Sequence, residues 1–182
     1  MTGIRIPYKY LLIPFSLLLV AGGCSVEKNT ASSRFYHGLT SRYNIYFNAS
    51  ESYKKGIEKV NNNFRDDYTE LLKIFEFSDP ATPSICSGDM ERAIQKASKL
   101  ITLKSITAKP ELKISGEPTE KEKELLEKKE YNEWVDDSYL LMGKARLYTQ
   151  DFEQAKSTLG YTISSSADKK IKNSGLCFPN NN

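Results

Sequence analysis

The chain has 182 residues, with 26 lysines and arginines against 23 aspartates and glutamates. This length suits one domain of ordinary size, and the composition excludes collagen-like, low-complexity and disulfide-stapled proteins. The net charge of +3 is small and the basic residues are scattered, so we expect no nucleic-acid partner. The single histidine, His37, excludes zinc sites built on paired histidines. Composition therefore favours a scaffold over an enzyme.

Residues 1–23 have the plan of a secretory signal peptide. Arg5 and Lys9 precede an apolar run over 10–20, which is shorter than the roughly 18 residues that span a bilayer. Small residues then lead to Cys24, an order that resembles the lipobox of bacterial lipoproteins, where a protease cuts before a cysteine that carries diacylglycerol. We therefore expect removal of 1–23 and lipidation of Cys24. The alternatives are an ordinary signal peptide with an incidental cysteine, or an uncleaved anchor.

Residues 24–39 are predicted to be the lipidated cysteine followed by a tether. The segment 25–33 is small and polar, as a flexible connection between a lipid and a folded body should be. Acyl chains on Cys24 would hold the protein on a membrane, since each buried methylene contributes about 0.8 kcal/mol. Ser25, where an aspartate would favour the inner membrane, favours the outer membrane by analogy with bacterial lipoproteins.

Residues 40–164 are predicted to be an α-helical region. Apolar residues recur at the spacing of one helix face from about Thr40 to Asn62 and again from about Asp89 to Leu103. The charged block 120–130 favours a helix whose surface is solvated. Proline and glycine predict the loops between these helices, 78–88 and 104–118.

The last periodic region, 134–164, predicts two antiparallel helices joined by a turn at 150–151. Its pattern resembles a tetratricopeptide repeat, in which small residues such as Gly143 and Ala155 let the helices approach closely. Arg146 stands where that repeat usually has tyrosine. The six residues that fit the pattern, and that we expect to pack the hairpin, are Tyr139, Met142, Gly143, Phe152, Ala155 and Leu159. A generic αα-hairpin is the alternative.

An all-α fold follows, built of helical hairpins of tetratricopeptide-repeat type. Repeat arrays need about three units and polar caps to be stable, and the sequence holds one clear repeat. We therefore expect an incomplete array, the front end of a longer scaffold. The tail 165–182 is predicted to be irregular, and from Ala167 onward it looks like a truncated or frame-shifted end.

An aromatic cluster overlaps the start of the first predicted helix. Its members are Phe35, Tyr36, Tyr43, Tyr46 and Phe47. Such residues dock a partner protein or lie at a membrane surface when they are exposed, whereas packing within the first hairpin would bury them. We treat the five as candidate partner-facing residues, with packing as the alternative.

Several of these segments carry a family resemblance through their order. The lipobox is followed by the aromatic block 34–48, by Ser87-Gly88-Asp89-Met90 at the start of a helix, and by the block 134–145. This order resembles the N-terminal part of the gliding-motility and type IX secretion lipoproteins of Bacteroidota, the SprE/PorW family. The resemblance covers about 24–163. It implies an outer-membrane lipoprotein, facing the periplasm and built mostly of tetratricopeptide repeats.

The resemblance also implies the partners. Members of that family help to couple the periplasmic components of the secretion machine to its outer-membrane parts. For this chain we therefore expect contact with the membrane through the N-terminal lipid, and with other proteins of the secretion and motility machinery.

No motif in the sequence points to catalysis. His37 has no sequence partner that would make it a general base, and phosphate-loop, nucleophile-elbow and zinc motifs are missing. Cys86 and Cys177 show no metal or redox spacing, and we interpret both as incidental. We name no catalytic residue, metal ligand, cofactor or small-molecule substrate. The alternative function is an envelope enzyme or glycan-binding lipoprotein whose site lies in further C-terminal sequence.

Overall fold

The fold is all-α, as predicted. The computed structural model describes residues 26–63, 65, 68–69, 74–112 and 116–165. Every regular element within these ranges is helical, and no strand occurs in them. The predictions for the signal peptide, for Cys24 and for the tail after 165 lie outside the described residues, as does Cys177.

The first helical stretch is continuous over 31–63 and has three parts. Helix α1 (Ala31–Thr40) leads into a π-helical segment (Ser41–Tyr46), which leads into helix α2 (Phe47–Asn63). A π-helical turn inside an α-helix is rare and is frequently found at functional sites.

The predicted tether over 24–39 is wrong from Ala31 onward. Thr30 caps α1, because its side-chain oxygen accepts a hydrogen bond from the backbone N–H of Ser33 at 3.1 Å. Ser33 and His37, four residues apart, form the buried face of α1. The cap and this face stabilise a helix that the polar composition alone does not indicate.

Helix α3 (Thr82–Lys104) begins well before the predicted start near Asp89, inside the segment 78–88 that was expected to be a loop. Pro83 lies in its first turn. At that position the missing N–H of proline has no helical partner to lose, so proline favours a helix start rather than a loop. A short 3₁₀ turn, Glu76–Ser78, comes just before it.

Four helices pack in series. Helix α2 packs against α3, α3 against α5 (Glu133–Tyr148), and α5 against α6 (Phe152–Ser165). Helices α5 and α6 are the predicted hairpin. The short helix α4 (Glu120–Glu127) has no buried residue, and a capping box at Thr119 begins it. The described parts of the connection before α4 are irregular, as predicted.

Two clusters of buried side chains hold these helices together. The first consists of Phe77, Leu140, Leu147, Ala155 and Leu159. The second consists of Val60, Cys86, Met90, Ala93 and Ala145. Tyr148 packs against both, and its ring meets Tyr53 and Phe77 edge-on at centroid distances of 6.0 and 5.8 Å. Burial raises the pKa of Tyr148, as expected for a phenol inside a core.

A buried carboxylate ties α2 to α3. The side chain of Asp89 is 8% exposed and accepts a hydrogen bond from Nζ of Lys59 on α2. The Arg92 guanidinium lies 3.6 Å from its other oxygen. The hydrogen bond from Lys59 holds the pKa of Asp89 below its usual value of 3.8.

We expect Asp89→Asn to remove an acid-dependent part of the stability. Because the pKa of Asp89 is lower in the folded chain, its stabilisation is complete above the unfolded value and disappears as pH falls through the folded value. Near neutral pH the variant should lose about 1 kcal/mol, since the Lys59 half of the pair is solvent-exposed. Denaturant titrations of both proteins across acidic pH should show the difference shrinking below about pH 4.

The matched control is Glu91→Gln, which removes an exposed carboxylate from the same helix. That variant should follow the wild-type pH profile. A stability difference for Asp89→Asn that stays constant into strong acid would contradict the assignment.

Candidate functional site

The sequence blocks 34–48 and 134–145 meet in the structure. The rings of Tyr46 and Trp134 lie 5.0 Å apart between centroids. The guanidinium carbon of Arg42 lies 5.4 Å from the centroid of Trp134, within the range of a cation–π contact. These contacts fix the start of α5 against the π-helical segment.

A buried asparagine joins three parts of the chain at this junction. Asn132 is 1% exposed, and its Nδ2 donates hydrogen bonds to Ser41 Oγ and to the backbone oxygen of Lys104, both at 2.9 Å. Its Oδ1 accepts from the backbone N–H of Trp134 at 3.3 Å and thereby caps α5. One side chain therefore links the π-helical segment, the end of α3 and the beginning of α5.

The carboxylate of Glu130 connects the same junction to the loop after α3. Its Oε1 accepts hydrogen bonds from the backbone N–H groups of Ile106, Tyr131 and Asn132 at 2.8, 3.0 and 2.8 Å. Its other oxygen accepts from the hydroxyl of Ser105. Charge-assisted bonds of this kind are stronger than neutral ones, so the chain around 130–132 is firmly held.

A groove of about 490 Å³ lies beside the junction. One wall is formed by α1 and the beginning of the π-helical segment, from Arg34 to Tyr43. The other wall is formed by residues between Leu125 and Trp134. We refer to it as the α1 groove.

An exposed apolar row runs along the outer wall of the α1 groove and beyond it. Its members, with their exposed fractions, are Phe35 (73%), Leu39 (46%), Tyr43 (58%) and Phe47 (55%). Residues four apart drift around an α-helix by about 40° per step, and the wider π-helical turn reduces that drift. The local backbone therefore helps to keep the row on one side of the helix.

The predicted partner-facing aromatics divide into two groups. Phe35, Tyr36, Tyr43 and Phe47 are exposed, so they are accessible to a partner. Tyr46 is not, because Trp134 covers its ring. Burial, with a smaller contribution from the charge of Asp137, raises the pKa of Tyr46 to about 12. Tyr46 is thus a packing residue.

Close approach of α5 and α6 occurs where the repeat pattern predicts it. A Cβ added at Gly143 would lie 2.6 Å from Cδ2 and 2.7 Å from Cγ of Leu159. Ala155 and Leu159 are buried at 0% and 6% exposure, and Met142 at 8%. Glycine at 143 therefore leaves room for the Leu159 side chain between the two helices.

Three positions of the repeat pattern contribute to the hairpin in different ways. Phe152 is 48% exposed and is not a packing residue, because it is the first residue of α6, at the turn end of the hairpin. Tyr139 packs on Tyr161 at 4.7 Å between ring centroids. Arg146, at the usual tyrosine position, joins the two helices differently, since its guanidinium donates to Thr158 Oγ1 and to the Gln154 carbonyl.

The cysteine and the histidine of the described residues are both buried. Cys86 is buried and its Sγ donates to the Thr82 carbonyl at 3.2 Å, while burial raises its pKa. His37 is 4% exposed, with Nδ1 3.5 Å from Nζ of Lys104. Within the described ranges, no three His, Cys, Asp or Glu side chains are grouped so that they could hold a metal ion. No helix in those ranges is long and apolar enough to cross a membrane.

Comparison with known proteins adds no identification: no family model matches the chain, and no curated protein matches it. The interpretation of the site therefore depends on the sequence motifs and on the geometry above.

Some residues at the junction were not singled out by sequence reasoning, although signals for two of them exist. Asn132 comes directly before a predicted helix, which is the pattern of an N-cap. Gly38 lies inside α1, where glycine is unfavourable without a packing or functional reason, but the predicted tether over 24–39 left that position outside any helix. The stacking of Arg42 on Trp134 joins residues far apart in sequence, and no local signal predicts it.

Proposed function

We propose that this chain is a lipid-anchored scaffold that acts by protein–protein contact, on the periplasmic side of the outer membrane, in type IX secretion and gliding motility. The observation that carries the proposal is the exposed apolar row beside the α1 groove. Single exposed apolar side chains are ordinary, whereas a contiguous apolar surface rimmed by polar groups is typical of interaction sites. The scaffold does no chemistry of its own.

The resemblance to the SprE/PorW lipoproteins supports the cellular setting. Its two densest blocks, 34–48 and 134–145, are neighbours at the junction that carries the α1 groove. Both blocks thus contribute to the walls of the groove beside the exposed row, the first through residues from Arg34 to Tyr43 and the second through Trp134. In this proposal the hairpin α5–α6 is a tetratricopeptide-type unit whose first helix contributes Trp134 to the wall of the groove.

The lipid anchor would keep this surface near the membrane. Only a few residues separate Cys24 from the start of α1 at Ala31. A fully extended chain spans at most about 3.6 Å per residue, so α1 would begin within about 25 Å of the lipid headgroups. A partner that reaches α1 therefore has to lie close to the inner surface of the membrane.

We expect Cys24→Ala to abolish lipidation. The variant should take up no labelled palmitate and should leave the membrane fraction, because no acyl chain remains to hold it. Cys86→Ala is the matched control, since that thiol is buried and should leave labelling unchanged. Labelled, membrane-bound Cys24→Ala protein would refute the anchor.

The contact function is tested by crosslinking in intact cell envelopes. A bifunctional amine-reactive reagent, followed by purification of the full chain, should recover components of the secretion and motility machinery. Recovery of none of them, from a chain shown to be expressed and folded, would refute the proposed function.

A further inference from the structure

We infer that the α1 groove binds an amphipathic helix of a partner protein, with apolar residues on one face and acidic residues beside them. The inference rests on the proposed function and specifies the chemistry of the partner. Three features of the groove carry it: its charge, its shape and a glycine in its wall.

The charge of the groove is predominantly positive. Arg34, Arg42 and Lys128 line it, and Glu133 is the one acidic residue among its lining residues. Complementary charge steers a partner and fixes its orientation, so an acidic flank on the partner is favoured over a basic one. The rest of the chain is nearly balanced in charge, which makes this local excess of positive charge a property of the groove.

The shape of the groove favours a helix over a flat lipid surface. Its apolar side chains stand on both walls, with Phe35, Leu39 and Tyr43 on one and Trp134 on the other. A helix that lies in a groove inserts residues spaced three or four apart between such walls. A membrane surface would touch the exposed row and leave the cavity between the walls unfilled.

Gly38 opens one wall to the backbone of a ligand. It lies inside α1, where glycine destabilises a helix relative to alanine, and it lines the groove. Apart from its chain neighbours and the backbone of its own helix, no described atom lies within 4 Å of the position that its Cβ would take. The packing of the described residues therefore gives no reason for glycine here, whereas close approach of a bound helix does.

The first experiment uses Trp134 as the reporter. It is the single tryptophan of the chain and it lines the groove, so its fluorescence follows occupancy. The full chain is held in phosphatidylcholine vesicles and titrated with a synthetic helix that carries leucine and phenylalanine on one face and glutamate beside them. Saturable binding is expected, weakening as salt is added. A matched peptide with lysine in place of glutamate should bind at least about tenfold more weakly.

Two variants separate binding from folding. Gly38→Ala should raise the thermal unfolding temperature, because alanine favours a helix more than glycine does. It should also lower the affinity for the glutamate peptide about tenfold, because the new methyl group occupies the space that the bound helix needs. Gly88→Ala, also in a helix with open space around it, should leave affinity unchanged. Lys128→Glu should weaken binding to a similar degree, and Lys96→Glu, the same charge change outside the groove, should not.

Three results would overturn the inference. They are equal binding of the two peptides, equal affinity of Gly38→Ala and Gly88→Ala, and strong quenching of Trp134 by brominated phosphatidylcholine without peptide, which would make lipid the occupant. If crosslinking still recovers the machinery, the proposed function stands and the contact lies elsewhere. If the peptide binds as expected but crosslinking recovers nothing, helix binding by the groove is confirmed and the proposed role in secretion and motility is refuted.

Discussion

Replacing Gly143 with alanine should lower the free energy of unfolding by about 1–2 kcal/mol. The new Cβ would lie 2.6 Å from Cδ2 of Leu159, and that side chain is buried, so either Leu159 has to change its rotamer within the core or α5 and α6 have to move apart. Overpacking of this kind destabilises a protein by about 1–3 kcal/mol, and the higher helix propensity of alanine offsets up to about 1 kcal/mol of that loss. Urea denaturation followed by circular dichroism measures the change.

Gly160→Ala is the matched control for that variant. It changes the same residue type in the partner helix α6, at a position where no described atom outside its chain neighbours and its own helix backbone lies within 4 Å of the added Cβ. It should stabilise the fold by about 0.5–1 kcal/mol, because only helix propensity changes. Opposite signs for the two variants isolate the contact between the helices. If Gly143→Ala stabilised the protein as well, close packing of the hairpin would be disproved.

Asn132→Ala should lower the free energy of unfolding by about 2–4 kcal/mol. Loss of the cap on α5 contributes about 1 kcal/mol. The larger part of the lost stability, about 1–3 kcal/mol, arises because Ser41 Oγ and the Lys104 carbonyl lose their buried hydrogen-bond donor. The same denaturation experiment measures it.

Thr119→Ala provides the comparison, because Thr119 caps the exposed helix α4 and has no role at the junction. It should cost about 1 kcal/mol at most. Asn132→Asp keeps the capping oxygen and removes both Nδ2 donors, so it should remain nearly as destabilised as Asn132→Ala. Equal, small effects of Thr119→Ala and Asn132→Ala would show that Asn132 is only a cap.

Local sequence patterns were sufficient for much of the helical fold. The spacing of apolar residues predicted the end of α2 near Asn62 and the hairpin 134–164, because one face of each helix is buried. The start of α3 is not predicted, because Pro83 indicates a loop as readily as the first turn of a helix. The start of α1 is not predicted, because the polar composition of 25–33 indicates a tether although Thr30 caps a helix.

The candidate site was predicted less completely. An aromatic cluster shows in the sequence, but which members are exposed depends on distant residues. Tyr46 is covered by Trp134, far along the chain, while Tyr43 remains open. Gln150 Nε2 donates hydrogen bonds to the backbone carbonyls of Phe77 and Asp79, at 3.1 and 2.7 Å. No local sequence pattern predicts these bonds either. Contacts of this kind are set by tertiary packing.

We propose that the exposed row beside the α1 groove contacts a partner protein. A photo-crosslinking amino acid placed at Tyr43 of the full chain in intact envelopes tests this contact, with Tyr161, of similar exposure, as the control. We expect position 43 to form adducts with a component of the secretion and motility machinery and position 161 to form none. Adducts with lipid alone, or equal protein adducts at both positions, would contradict it.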